Sequence, residues 1–350
     1  MVSNSFGYVH DELGDNLYSK VIDVAAIYNF NIIDVLECWN EPHRFFHTLD
    51  HLISIIQEID AEELTDQNFR ILIATALFHD IVYDPRKTDN EEQSVKVFQE
   101  MVTSDRIDLP EIENLILSTA NKGIPALTAL KNEILFNRFD REVLRSELTE
   151  LLEYEKQIFK EFQFADYTTY KHLRIQFLKN EMRNNSWLSS HGHIRELVEY
   201  LYHYRPKIGV YAGSFNPFHL GHMNILHKAE EIFDKVIIAV GENPEKEVEF
   251  ASALGSVDRA VPYHQVDSFK GFISDYVALN EVDADITIVR GLRNGDDLDY
   301  EVNQLRFIKD MKADIKVVYI PCDAEFSHIS SSAIRSLQKI DPDKMRTYLP

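Results

Sequence analysis

Residues 213–222, with the sequence GSFNPFHLGH, have the composition expected of a phosphate-binding turn. They follow an apolar run at 208–212 and precede an amphipathic pattern at 223–233, which predict a strand and a helix. The first amides of a helix have no partners within the helix and carry a positive partial charge, so they favour anions. His219 and His222 are three residues apart and lie on one side of that first turn. The segment therefore predicts a nucleotide site.

Cationic and hydroxyl side chains follow three further apolar runs of the C-terminal half. Lys246 comes after the run 236–240, and Arg290 and Arg293 come after the run 286–289. Three serines at 330–332 come after the run 315–320. Parallel strands place the loops after their carboxyl ends at one edge of the sheet. Because guanidinium groups, hydroxyls and free helix amides all bind phosphate oxygens, these loops predict a polyphosphate site around the histidine pair.

The N-terminal half carries residues that suit a metal ion. A helix predicted from Pro42 to residue 58 carries His47 and His51, which are four residues apart and share a face. About thirty residues later, an apolar helix ends in His79 and Asp80. These two side chains are costly to bury unless they are paired or bound to metal. A metal held by imidazole and carboxylate groups can activate a water molecule for attack on phosphorus.

The hydrophobic periodicity changes near residue 206, which predicts two domains. Before it, helical patterns occur at 17–29, 42–58, 68–82, 91–102, 144–162 and 167–181. After it, short β-branched runs alternate with amphipathic helices, an alternation typical of βαβ units with a parallel sheet. Pro206 ends a helix predicted at 194–204. We therefore expect a multidomain protein, with an all-α domain at 1–205 and a Rossmann-like α/β domain at 206–350.

Composition and charge restrict the partners that the protein could have. The 350 residues, 45% apolar and 27% charged, correspond to about two ordinary globular domains. The net charge of −22 argues against a protein that holds nucleic acid through its phosphates. Cys38 and Cys322 are too few for a disulfide framework, and the chain shows neither a signal pattern nor an apolar run of about 18 residues. We expect a cytoplasmic protein with no nucleic-acid or membrane partner.

The C-terminal motifs together resemble a known family. Residues 206–350 look like a complete phosphopantetheine adenylyltransferase, within the HxGH nucleotidyltransferase superfamily. The resemblance is carried by YAGSFNPFHLGH at 211–222, NPEK at 243–246, RGLR at 290–293, DYE at 299–301 and ISSS at 329–332. The first and last of these are shared with nicotinate-nucleotide adenylyltransferases, whereas RGLR followed by YE favours the phosphopantetheine branch. The chain departs from the family at Asn216, where the family usually has Asp, and matches it poorly over 247–265.

The resemblance implies an activity and a role for each matching residue. It implies transfer of AMP from ATP to 4'-phosphopantetheine, with Mg²⁺ on the phosphates and a homo-oligomeric assembly. His219, His222, Lys246 and Arg293 would be the catalytic residues. The residues implied to bind ATP or the acceptor are Gly213, Ser214, Phe215, Lys246, Arg290, Gly291, Arg293, Glu301, Ser330, Ser331 and Ser332. The alternative acceptor is nicotinamide or nicotinate mononucleotide.

The N-terminal pattern is similar to the HD-domain phosphohydrolase superfamily, whose members have a His, then His-Asp, then a distant Asp. The resemblance implies an all-α HD-type domain whose metal ligands are drawn from His47, His51, His79, Asp80 and Asp140. Either His47 or His51 could be the first ligand, and the spacing favours His47. The metal would be Mn²⁺, Fe²⁺ or Zn²⁺. Arg138 replaces an acid that this branch usually has, which leaves open a regulatory or assembly module without turnover.

Overall fold

The computed structural model describes residues 5–120, 131–185, 187–188, 192–242 and 247–350. The chain divides into two compact units. The first extends to Glu161 and includes Arg174–Tyr202, and the second contains Phe162–Leu173 and His203–Pro350. None of the helices in these ranges has the combined length and apolar character needed to cross a bilayer.

The N-terminal part of the chain is helical, as the periodicity predicts. Its helices are α1 (Ser5–Tyr28), α2 (Ile32–Cys38), α3 (Leu49–Ala61), α4 (Asp66–Phe78), α5 (Asn90–Met101), α6 (Leu109–Thr119), α7 (Lys131–Asp140), α8 (Leu148–Glu161), α9 (Tyr167–Asn184) and α10 (His193–His203), with a short 3-10 helix at Glu142–Arg145. Among them, α4 is central and packs against α3, α5, α6 and α7. Its last eight residues are all buried, which explains why its sequence is apolar on every side. The side chain of Thr65 caps its first turn.

The helix predicted at 42–58 is wrong in its first half. Helix α3 begins at Leu49, and residues 42–48 form turns and bends. The cause is a buried carboxylate from far along the chain. Glu161 Oε1 accepts hydrogen bonds from the amides of Phe45, Phe46 and His47, at 2.8, 2.8 and 3.0 Å. These amides point to the carboxylate rather than along a helix axis, so His47 lies before α3 and His51 lies within it.

The second unit contains the predicted parallel sheet. Its strands are β1 (Lys207–Gly213), β2 (Lys235–Gly241), β3 (Val266–Phe269), β4 (Asp285–Leu292) and β5 (Val317–Pro321). They are hydrogen-bonded in the order β3-β2-β1-β4-β5, and every pairing is parallel. The helices after residue 206 are α11 (Leu220–Glu230), α12 (Glu247–Ala260), α13 (Ile273–Asn280), α14 (Gly295–Met311), α15 (Ser331–Gln338) and α16 (Pro342–Arg346). The prediction of a parallel α/β domain is confirmed.

The strand order creates a cleft at one edge of this sheet. From β1 the chain passes to β2 and β3 on one side, and then returns to place β4 on the other side of β1. The loops after the carboxyl ends of β1 and β4 therefore diverge, which is where doubly wound sheets bind ligands. Strands β1 and β2 are almost wholly buried and hold this edge in place.

Candidate functional site

The turn between β1 and α11 holds the two histidines of the motif against each other. His219 is the N-cap of α11, and its Nδ1 accepts a hydrogen bond from the His222 amide at 3.3 Å. His222 Nδ1 accepts one from the His219 amide, also at 3.3 Å. The rings are stacked with their centroids 3.6 Å apart. Because each Nδ1 accepts, we assign the proton of each neutral ring to Nε2. The pair thus supplies two Nε2–H donors in a fixed arrangement.

Both imidazoles are neutral at physiological pH. Burial, with the charge of Arg293 acting in the same direction, lowers the pKa of His219 to about 4. Burial also lowers the pKa of His222 well below its ordinary value, and His219 and Arg293 add to that effect. The two hydrogen bonds within the pair therefore persist throughout the neutral pH range, because both rings stay uncharged and each Nδ1 keeps the lone pair that accepts.

Residues of α15 stabilise the same turn from the opposite side. Ser331 Oγ donates to the carbonyl of Pro217 at 3.1 Å, and the Arg335 guanidinium donates to the carbonyl of Asn216. Ser330 is the N-cap of α15. The free amides of α15 and the histidine turn are therefore tied into one rigid rim by hydrogen bonds, which fixes the site before any ligand arrives.

The two arginines of the RGLR segment are oriented by neighbouring groups. Arg290 donates to the carbonyl of Ala212 at 2.9 Å, and its Nε lies 3.3 Å from Glu301 Oε2. Arg293 donates through both Nε and Nη2 to the carboxylate of Asp297, each at 2.9 Å. These bonds fix the planes of both guanidinium groups, so that little side-chain entropy is lost when a phosphate binds.

These groups line one cavity of about 470 Å³ at the carboxyl edge of the sheet. That volume is ordinary for a small-molecule site. The predicted residues that line it are Gly213, Ser214, Phe215, His219, His222, Arg290, Gly291, Arg293, Glu301, Ser330, Ser331 and Ser332. Lys246 lies outside the described residues. The structure thus brings together every other C-terminal residue that the sequence singles out.

Eleven further residues line the cavity in the described part of the chain, and the sequence assigned none of them to the site. Five of these have polar atoms in their side chains: Tyr211, Asp297, Tyr300, Cys322 and Arg335. Arg335 could have been found, because it lies four residues after Ser331 and thus on the same face of α15. Tyr211 begins the motif at 211–222, but its position in an apolar strand indicates only a core residue, so the sequence predicts no role for it in the site.

The first unit brings four of the five predicted metal-binding residues together. Ligand atoms of His51, His79, Asp80 and Asp140 all lie within 4.8 Å of one another. They come from α3, from the end of α4 and from the last residue of α7. His51 and His79 are buried, whereas Asp80 and Asp140 keep some exposure. Two imidazoles and two carboxylates form a donor set that suits Mn²⁺, Fe²⁺ or Zn²⁺.

The hydrogen bonding of this cluster fits a metal ion. His79 Nδ1 lies 2.9 Å from the carbonyl of Ala76, which can only accept, so Nδ1 carries a proton and Nε2 is the nitrogen that can offer a lone pair to a cation once it loses its own proton. The Nε2 atoms of His51 and His79 are buried and have no hydrogen-bond partner of acceptable geometry, although they lie 3.3 and 3.4 Å from Asp140 Oδ1. Orphaned buried nitrogens of this kind need a ligand, and a cation would satisfy both.

The charges of the cluster are strongly coupled. Burial opposes the charge on His79, but the carboxylates of Asp80 and Asp140 outweigh it and raise the pKa of this imidazole to about 9. The histidines in turn overcome the effect of burial on Asp140 and hold its pKa well below the usual range. A bound cation would take the place of the protons, because it needs the same lone pairs.

His47 lies beside the cluster but outside the group of four. Its Nδ1 donates to Glu161 Oε2 at 2.8 Å, and its ring stacks on Tyr83 with centroids 4.2 Å apart. Its Nε2 is 3.9 Å from Asp80 Oδ2. The spacing favours His47 as the first ligand, whereas in the structure His51 is the histidine of this pair that lies together with His79, Asp80 and Asp140.

Arg138 is engaged away from the four clustered residues. It pairs with Glu62 at 2.6 Å and lies over the ring of Phe139. Arg138 is therefore not part of the group formed by His51, His79, Asp80 and Asp140.

Comparison with known proteins places the C-terminal site in a family. The cytidylyltransferase-like family matches residues 210–337. A solved structure described as a nicotinate-nucleotide adenylyltransferase from Vibrio parahaemolyticus has a TM-score of 0.29 at 18% identity, covering 41% of this chain and 86% of that one. A likeness this low carries no argument about function.

Two curated relatives are much more informative. The phosphopantetheine adenylyltransferase of Alkaliphilus metalliredigens is 32% identical over 142 residues, covering 39% of this chain and 88% of the relative. The enzyme of the same name from Leuconostoc mesenteroides is 34% identical over 148 residues, covering 41% of this chain and 89% of the relative. Since the match spans nearly the whole of these relatives, the chain belongs to the phosphopantetheine adenylyltransferase family.

Proposed function

We propose that residues 206–350 transfer AMP from ATP to 4'-phosphopantetheine, giving dephospho-coenzyme A and pyrophosphate. An oxygen of the acceptor phosphate forms a bond to the α-phosphorus, while the bond from that phosphorus to the bridging oxygen breaks and pyrophosphate leaves. The observation that carries the proposal is the stacked His219–His222 pair on the rim of a cavity that two pre-oriented arginines also line. The relatives named above support the acceptor.

The residues of the cavity have different proposed roles, which follow from their chemistry. The Nε2–H of His222, with help from His219, donates to the α-phosphate as negative charge builds on it. Arg290 and Arg293 bind the outgoing phosphates as fixed forks. Lys246 and Ser214 are proposed to hold the acceptor phosphate. Mg²⁺ bound with ATP would neutralise phosphate charge, and it needs few protein ligands because it retains water and phosphate oxygens.

A pyrophosphate-release assay tests this proposal. ATP is supplied with 4'-phosphopantetheine or with nicotinamide or nicotinate mononucleotide, using wild type, His222→Ala and His227→Ala. His227 is the matched control, because it is an exposed histidine on the same helix. We expect release with 4'-phosphopantetheine, a loss of at least about a hundredfold in His222→Ala and little change in His227→Ala. Release only with a pyridine mononucleotide would move the protein to that acceptor, and equal rates in all three proteins would remove His222 from the mechanism.

For residues 1–205 we propose a metal-dependent phosphohydrolase. The observation behind it is the pair of buried, unpartnered Nε2 atoms beside two carboxylates. His51, His79, Asp80 and Asp140 would hold the ion, which when bound would lower the pKa of a water molecule. A module that binds metal without turnover is the alternative, since the same ligands serve either purpose.

Metal binding and hydrolysis together separate these two possibilities. Mn²⁺ affinity and the hydrolysis of p-nitrophenyl phosphate and nucleotides are measured for wild type, Asp80→Asn and Asp60→Asn. Asp60 is a control on α3 whose carboxylate pairs with Lys20 on the surface. We expect Asp80→Asn alone to weaken Mn²⁺ binding, by at least about tenfold. Metal binding by wild type with no hydrolysis of any substrate would favour the non-catalytic module.

A further inference from the structure

His47 is held in one orientation by contacts on several sides. Glu161 accepts the Nδ1–H at 2.8 Å and also fixes the His47 backbone through its amide at 3.0 Å. Tyr83 stacks on one face of the ring, and its hydroxyl donates to Glu161 Oε2 at 2.6 Å. Phe46 packs its edge against the same imidazole. These contacts restrict the His47 ring to one orientation, as expected of a side chain that takes part in binding or catalysis.

Glu161 is the centre of this arrangement. Its side chain is fully buried. Among the residues that the structure describes, Glu161 forms an ion pair with His47 and with no other residue. Its two oxygens accept five hydrogen bonds, three of them from backbone amides and two from side chains. A carboxylate buried this deeply is costly unless its oxygens are hydrogen-bonded. The hydrogen bonds of Glu161 therefore hold the imidazole ring of His47 in one position.

The Nε2 atom of His47 lies next to the proposed metal-binding residues, and the His47 side chain keeps some exposure. Its side chain is 20% exposed, compared with 5% for His51 and 1% for His79. Its Nε2 is 3.9 Å from Asp80 Oδ2, too far for a hydrogen bond between them. Nε2 therefore borders the cluster at Asp80 without being bonded to it, and it belongs to the most exposed of the three histidine side chains.

We propose that His47 is a substrate-contacting residue: as the imidazolium paired with Glu161, it donates its Nε2–H to a phosphoryl oxygen of a phosphomonoester, while His51, His79, Asp80 and Asp140 hold the metal. Glu161 is then a positioning residue that acts through His47, and Tyr83 supports it. The inference rests on the proposed phosphohydrolase function and deepens it, because it divides the three histidines into two ligands and one phosphate-binding side chain.

The test compares the binding of metal with the binding of phosphate. Mn²⁺ affinity is measured by calorimetry on the full chain, and inorganic phosphate near the bound ion is followed by the relaxation of its ³¹P signal. The KM for p-nitrophenyl phosphate is measured in parallel. Asp80→Asn is included in each series, because it separates phosphate held at this cluster from phosphate held at the C-terminal cavity.

We expect His47→Gln to leave Mn²⁺ affinity within about threefold of wild type and to weaken phosphate binding and raise KM by at least about tenfold, the range for losing a hydrogen bond to a charged group. Glu161→Gln should act in the same direction. Should it not fold, Tyr83→Phe keeps the stacked ring and removes only the bond to Oε2. The fluorescence of Trp39, whose ring lies 5.3 Å from that of His79, reports whether each variant is folded.

Two results overturn the inference and leave the metal site intact. A loss of Mn²⁺ affinity of tenfold or more in His47→Gln would make His47 a direct ligand. Unchanged phosphate binding and KM in that variant would remove any contact with the substrate. By contrast, a wild-type protein that binds no Mn²⁺ would defeat the proposed phosphohydrolase itself, and this inference with it.

Discussion

His219 has two tasks that substitution can separate. Its Nδ1 caps α11, and its Nε2–H is the proposed donor to phosphate. His219→Leu removes both, so we expect a loss of about 1 kcal/mol in the stability of the second unit, as for other lost caps. His219→Asn keeps a side-chain oxygen for the same amide and should retain most of that stability, yet it should transfer AMP as poorly as the leucine variant. Hydrogen exchange of α11 and pyrophosphate release measure the two effects, and equal destabilisation by Asn and Leu would contradict the capping role.

The neutral histidine pair also predicts how stability depends on pH. In the unfolded chain each histidine titrates near its usual pKa of about 6.5, whereas His219 in the folded protein titrates at about 4. Between these values the unfolded state binds more protons, so the free energy of unfolding rises with pH and is fully restored above the unfolded pKa. We expect hydrogen-exchange protection of β1 and β2, corrected for intrinsic rates, to fall from pH 7 to pH 5.

The slope of that dependence identifies its source. Each histidine excluded from protonation contributes roughly 1.4 kcal/mol per pH unit within the window. His219→Asn should therefore show a shallower dependence than wild type, with the remainder arising from His222. Parallel profiles for the two proteins would mean that other groups control the acid sensitivity.

At the scale of elements, local sequence predicted the strands and helices that bury a continuous apolar face. Strands β1 and β2 and helix α4 belong to this class, because their buried residues form continuous apolar runs in the sequence. β3 was missed since its four residues include Asp267 and Ser268 and it lies at the edge of the sheet. The start of α3 was misplaced because Glu161, more than a hundred residues later, withdraws three amides from the helix. No local pattern could show that.

The candidate sites also differ in whether the sequence predicts them or a tertiary contact determines them. Loops at the carboxyl ends of parallel strands converge by topology, so the sequence alone assigns Arg290, Arg293 and Ser330 to one site. The choice between His47 and His51 depended instead on where a helix begins, and the start of α3 is the boundary that was misplaced. Spacing in the sequence cannot reveal a tertiary hydrogen bond that moves a helix end.

The packing of α11 on β4 gives a prediction at this scale. A Cβ at Gly291 would lie 2.9 Å from Ile225 Cγ1, an atom close to the helix backbone. Gly291→Ala should therefore push α11 and its histidines away from the sheet, at a cost of about 1–3 kcal/mol, and weaken ATP binding. Gly295→Ala is the control, since nothing lies within 4 Å of the added carbon. A double variant with Ile225→Ala should recover part of the loss, and strict additivity of the two substitutions would show that the contact is not the cause.

At the scale of the whole molecule, each candidate site is built from residues of one unit. The metal-binding group falls between residues 51 and 140, within the first unit, and the residues that line the cavity run from 211 to 335, within the second. Each unit also has its own core of buried apolar side chains. Among the residues that the structure describes, the members of each site therefore belong to a single unit.

This arrangement predicts that the two activities can be abolished separately. Asp80→Asn should weaken Mn²⁺ binding at least about tenfold and leave the kcat/KM for AMP transfer within about twofold of wild type, because Asp80 is not among the described residues that line the cavity. His222→Ala should do the reverse, with loss of transfer and unchanged Mn²⁺ affinity. Both activities are measured on the same preparations of the full chain. A change of transfer rate in Asp80→Asn beyond that limit, with ATP and Mg²⁺ saturating, would instead demonstrate a coupling free energy between the sites and give the first unit a regulatory role.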